Sequence, residues 1–186
     1  MSPGRMIIAA AFLFLALAAP ARTAESEPGV LVFSVKTWEG DYASKDVPGG
    51  VESTPVVGAI YSVKGDGTGL KKVAELGKNT DFPSVSPDGQ WVYFQSNATG
   101  RSQVYRCCPD GSQVANLTEG DRLGARWKNA FGYFLSADGS KLLYTVHDGS
   151  SGRVALANAD GSEPRLIAPD LGYIYMAALR DRKSVV

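Results

Sequence analysis

The sequence predicts an all-β chain built from repeated four-stranded antiparallel units, and three observations carry that expectation. Gly accounts for 21 of 186 residues, about 11% against a usual ~7%, a composition rich in tight turns. Shifting the sequence against itself by 50 residues produces an ungapped match. The stretches between the matched turns are short apolar runs, and beyond the N-terminal segment none keeps a helical period. A repeat of 40–50 residues signals a solenoid, a propeller or an array. Four-stranded units at this period select a β-propeller.

Each element follows from local chemistry. Ser86-Pro87-Asp88-Gly89 falls on Ser136-Ala137-Asp138-Gly139, and Asp110-Gly111-Ser112 falls on Asp160-Gly161-Ser162. A third, partial copy carries Asp66-Gly67-Thr68 at an offset of 44. In these turns Pro pre-sets φ, Asp bonds nearby backbone and Gly accepts φ > 0. A first strand enters over 81–85 and a second is Trp91-Val92-Tyr93-Phe94. The loop Asn97-Ala98-Thr99-Gly100 leads to a third, Gln103-Val104-Tyr105-Arg106, and a short fourth spans 113–117. The units are placed at about 30–76, 81–118 and 131–168. The second strands are almost continuously apolar, as expected when both faces of a sheet are covered by neighbouring blades.

The pattern F-P-S-V-S-P-D-G-x-W-V-Y-F-x-S with Q-V-Y-x-x-x-x-D-G-S-x-x-x-x-L-T over 82–118 resembles the TolB-like, WD-repeat-like β-propeller repeat. The likeness is strongest there, good over 131–168 and partial over 31–76. Ala137 in place of Pro and Arg106-Cys107-Cys108-Pro109 before the turn depart from the pattern. The resemblance implies a ring of six or seven blades, of which about three are present. It implies a recognition or scaffold module, or the propeller of a prolyl oligopeptidase-like peptidase or of a carbohydrate-active lyase.

Both termini are expected to lie outside the propeller. Arg5, the 14-residue apolar run Met6 to Ala19 and Ala19-Pro20-Ala21 read as an export signal, residues 1–21, with an A-x-A cleavage site. As a helix that run would span about 21 Å, short of a ~30 Å hydrocarbon core, so no stable membrane anchor is expected after cleavage. The mature chain is then periplasmic or extracellular. Residues 181–186, Asp-Arg-Lys-Ser-Val-Val, match the in-frame translation of a common sequencing-adapter stretch, so the propeller is assigned to 22–180 and the chain is expected to be an N-terminal fragment. The 19 basic and 19 acidic residues of the whole chain become 16 and 18 within 22–180. Such a balance argues against nucleic acid as a partner.

No catalytic, metal or cofactor set is read in the sequence. Gly149-Ser150-Ser151-Gly152-Arg153 lacks the closing glycine of a nucleophile elbow. His147, the single His, is placed in a loop and read as solvated rather than as a ligand or base. Asp88, Asp110, Asp138 and Asp160 recur once per strand pair, as turn residues do, rather than converging as paired carboxylates. Adjacent Cα atoms about 3.8 Å apart fall below the ~4.4 Å usual for a disulfide. Cys107 and Cys108 are therefore read as one thiol in the blade interface and one nearer the surface, ahead of a bond to further sequence or a strained vicinal pair. Asn97 and Asn116 head N-x-T sequons, relevant only in a eukaryotic secretory pathway.

One irregularity points toward binding. Phe33 to Tyr61 spans 28 positions where Phe94 to Tyr105 spans 11, so seventeen extra residues sit in one hairpin. Long loops on rigid scaffolds are frequent binding devices. Trp38 and Tyr42 could stack on a sugar or peptide, and Asp41 and Asp46 could add hydrogen bonds or a cation. Residues 36–55 are expected to project from the blade and to take a protein, peptide or glycan ligand.

Overall fold

The structure is a computed structural model. It describes residues 7–8, 29–38, 40–41, 43–47, 50–53, 56–77, 79–120, 123–167 and 174. Among these there is no helix; fourteen strands form three four-stranded sheets and one two-stranded sheet. The export-signal and tail readings fall almost wholly outside the described residues.

Blade 2 is the complete repeat. Strands β7 (Asp81–Val85), β8 (Val92–Ser96), β9 (Gln103–Cys107) and β10 (Ala115–Asn116) form an antiparallel meander. Blade 3 repeats it with β11 (Asn129–Leu135), β12 (Lys141–His147), β13 (Gly152–Asn158) and β14 (Arg165–Leu166). Blade 1 comprises β2 (Val30–Thr37), β5 (Val57–Lys64) and β6 (Lys71–Ala74). Its innermost position is held by β1 (Ile7–Ile8), which pairs with Thr37 and Lys36. Cleavage after Ala21 would remove that strand and leave β2 as the inner edge of blade 1.

The recurring aspartates act as turn residues. Asp88 Oδ1 accepts Ser86 Oγ–H at 2.6 Å and the Gln90 amide at 3.0 Å. Asp138 Oδ1 accepts the equivalent pair, Ser136 Oγ–H at 2.6 Å and the Ser140 amide at 3.0 Å. In the second set of turns Asp66, Asp110 and Asp160 each accept the amide and hydroxyl of the residue two positions on. These short bonds hold the carboxylates below their ordinary range, that of Asp138 at about 2.

The core lies between blades. Pairing in β8 and β9 sets Val92 opposite Cys107 and Phe94 opposite Tyr105. That face packs on Ile60, Val73 and Ala74 of blade 1. The alternate face, with Tyr93 and Val104, packs with Leu117 on Leu142, Tyr144, Val146, Ala155 and Ala157 of blade 3. All five residues of β8 are therefore buried, as a strand covered on both faces requires.

Candidate ligand-binding rim

Strand alternation sorts every connection to one of two rims. The Asp-Gly turns all lie on one. On the other lie the β8–β9 loop over 97–102, the β12–β13 loop over 148–151, the inter-blade connections, and the insertion between β2 and β5. β2 continues through Thr37, so Lys36 and Thr37 belong to the blade and the insertion starts after them. Within it, β3 (Ser44–Val47) and β4 (Gly50–Ser53) pair into a separate hairpin.

Next to the insertion the loop rim carries an open groove of about 360 Å³. It is lined by Lys36, Asn79, Asp81, Phe82, Gln95, Asn97, Gly100, Arg101, Ser102 and Asn129, drawn from all three blades. Lys36 Nζ lies 2.7 Å from Asp81 Oδ2, joining blade 1 to blade 2. Burial pushes the Asp81 carboxyl up, and the bond from Lys36 pulls it partly back. Arg101 is exposed, and the Asn97 Oδ1 atom is buried without a hydrogen-bond partner.

Phe82 is the unusual member. Its φ is +52°, and its side chain is 58% exposed. The register of β7 against β8 shifts between Asp81 and Ser84, so a bulge turns this residue outward. Blade 3 has the same shift between Phe131 and Phe134, and there the position fifty residues on is Gly132, with φ +59°. Glycine adopts that conformation at little cost, whereas a bulky residue is strained by it. Tyr133 secures the bulge by donating to Phe82 O at 2.7 Å, with Ser84 Oγ 3.0 Å away. Burial raises the Tyr133 phenol far above its ordinary pKa, so it stays a donor.

The sequence-predicted ligand residues are distributed unevenly. Trp38 is half-buried at the base of the insertion and Asp41 is exposed beyond it. Asp46 pairs across the hairpin with Val51, and Tyr42 lies outside the described residues. Asn97 lines the groove, whereas Asn116 donates through Nδ2 to Tyr105 OH at 3.2 Å. The groove residues Lys36, Asp81, Phe82 and Arg101 were missed. The pairing of Phe82 with Gly132 at the 50-residue offset was the available signal.

Two other readings are decided here. His147 is not solvated: β12 runs through it, it is 3% exposed, and its ring stacks on Phe131 at 4.6 Å between centroids. Its Nε2 lies 2.6 Å from the Ile174 carbonyl oxygen, a contact twenty-seven residues away that no local pattern announces. Cys107 is fully buried and Cys108 half-buried, both as free thiols. Burial pushes the Cys107 thiol up to about 11, so it stays protonated at neutral pH.

Known structures share this arrangement. A protein from Agrobacterium tumefaciens described as TolB superposes on 72% of this chain and 60% of its own, with 21% identity and a TM-score of 0.50. The fold is a TolB-like β-propeller. The AtxE2 isopeptidase superposes with a TM-score of 0.51 over 75% of this chain and 27% of its own, at 13% identity. In sequence, an uncharacterised protein of Agrobacterium fabrum is 34% identical over 93 residues, 48% of this chain. The chain spans 28% of the length of that relative. No protein-family model matches it.

Proposed function

We propose that this chain is an exported propeller module that binds a protein, peptide or glycan through its loop rim. One observation carries the reading: the groove and the only long insertion among the described connections open on the same rim. An exposed aromatic ring held in a strained conformation supports it further, because such strain persists at sites of use. The chemistry present is a ring for stacking, amides from Asn79, Gln95, Asn97 and Asn129 for paired hydrogen bonds, and Arg101 for an anionic group. These groups serve recognition and not bond-making.

The test is direct binding of the purified chain to glycan and peptide arrays, repeated with Arg101→Glu and with residues 37–53 deleted. Both changes should abolish any signal while leaving the far-ultraviolet spectrum of the blades intact. Retention of binding by both variants refutes the rim assignment.

A second reading, a propeller that precedes a hydrolase domain, draws support from the likeness to the AtxE2 isopeptidase. A longer reading frame containing G-x-S-x-G followed by Asp and His would favour it. One containing only further S-P-D-G repeats would favour the binding module.

A further inference from the structure

The lining of the rim groove discriminates among the ligand classes that a loop rim can take. Protein partners are gripped through aromatic and apolar anchors, in patches whose centres are depleted of charge. Here Phe82 is the only hydrocarbon side chain among the ten lining residues, and four of the others are carboxamides: Asn79, Gln95, Asn97 and Asn129. The groove is therefore suited to a polar ligand that offers one hydrocarbon face.

The protein uses these carboxamides only in part. Asn129 Oδ1 accepts the Ser102 amide at 3.3 Å. Gln95, opposite Asp81 in the β7–β8 pairing, is nine-tenths buried, yet its carboxamide bonds no described residue. The buried Asn97 Oδ1 likewise has no donor. Buried polar groups left without a partner are costly, so both point to a ligand that supplies donors and acceptors together. A hydroxyl does both at one atom, and neighbouring hydroxyls on a sugar ring present both roles to one carboxamide. A peptide backbone offers one donor and one acceptor per residue, and its apolar side chains would find no pocket here. Charge adds a further requirement. Lys36 and Arg101 are the cations of the lining and Asp81 its only carboxylate, which Lys36 already holds at 2.7 Å. Arg101 is exposed and forms no ion pair among the described residues, so one positive charge is uncompensated. A guanidinium takes a carboxylate or sulfate through two parallel N–H···O bonds.

We propose that the groove holds an acidic sugar unit of a glycan. Arg101 takes its carboxylate or sulfate, Gln95 and Asn97 bond its hydroxyls, and the Phe82 ring lies against its C–H face. This inference rests on the assignment of ligand binding to the loop rim and narrows it to one class.

Titration calorimetry of the whole chain tests it with three oligosaccharides of equal length: an oligouronate, a sulfated hexose oligomer and a neutral hexose oligomer. At least one acidic oligomer should bind on the order of 10-fold more tightly than the neutral one, and the tighter of the two acidic oligomers identifies the anion. Arg101→Gln, at an exposed position that the fold does not use, should remove that preference. Gln95→Met, close in shape but without the amide, should weaken acidic and neutral binding alike by on the order of 10-fold. Equal binding of acidic and neutral oligomers, a preference that survives Arg101→Gln, or no binding of any of the three overturns the proposal. Binding of an acidic peptide in their place, lost on Arg101→Gln, also overturns it while the rim assignment stands. Acidic binding that neither variant alters refutes both.

Discussion

The hydroxyl of Tyr133 in blade 3 donates to the carbonyl oxygen of Phe82 in blade 2, 2.7 Å away across fifty-one residues of sequence. The bond fixes the one bulky groove residue with positive φ, so a buried tyrosine of blade 3 helps set the shape of the groove that all three blades line. Tyr133→Phe keeps the ring packed against Tyr93 and removes both polar contacts. It should lower stability by about 1–2 kcal/mol, the usual cost of stranding a buried acceptor. Denaturant titration checks this; an unchanged midpoint would mean that Phe82 O finds water in the groove.

Phe82 itself separates stability from use. Replacing it with Gly copies Gly132 at the same bulge of blade 3, where φ is +59° against +52°. Relief of the strain should raise stability by about 1 kcal/mol, at the low end of the cost of such conformations, because Gly adds unfolded-state entropy. The same change should abolish binding at the rim. Thermal melts paired with the array assay read both, and a destabilised Phe82→Gly would show the ring to be a packing element.

Acid stability should depend on the turn aspartates. Asp66, Asp88, Asp110, Asp138 and Asp160 all have lowered pKa values because Ser or Thr hydroxyls and backbone amides bond their charged form. A depressed folded-state pKa contributes stability above the unfolded value of 3.8, and that contribution is lost as pH falls toward the folded value, about 2 for Asp138. Asp81 acts oppositely. Its raised pKa favours folding when it is protonated, and that contribution fades as pH rises from 3.8 through its higher folded value. Melts from pH 6 to pH 2 should therefore fall steeply below pH 4. Asp138→Asn should flatten the fall, and Asp81→Asn should not.

What was legible in the sequence was whatever the chain decides within a few residues. Asp138 announces its turn because Ser136, Gly139 and Ser140 stand beside it, and the 50-residue offset then places whole blades. The insertion was visible as surplus length, but its pairing was not: Ser44–Val47 and Gly50–Ser53 lack the alternation that marks a half-buried strand. The groove was hidden for a different reason. Lys36 reaches Asp81, and Tyr133 reaches Phe82, only once blades stack. His147 was misread likewise, since the Ile174 carbonyl that faces it comes from beyond the repeat.

The inter-blade glycines offer the sharpest test of how the arc holds together. Gly67 and Gly111 occupy equivalent turns with φ of +82° and +90°, so Ala at either pays a similar backbone cost of about 1 kcal/mol. They differ in surroundings. At Gly111 the added methyl would stand 2.5 Å from Val73 O, a backbone atom of β6 that cannot swing aside, whereas at Gly67 it meets nothing within 4 Å among the described residues. Gly111→Ala must therefore push blade 2 from blade 1 and loosen the packing of Val92, Phe94 and Cys107. An additional loss of about 1–3 kcal/mol is expected, the range for overpacking a tight interface. Chemical denaturation of the two variants side by side makes the comparison. Equal losses would show that the blades slide freely past one another and that the glycine contact does not set their spacing.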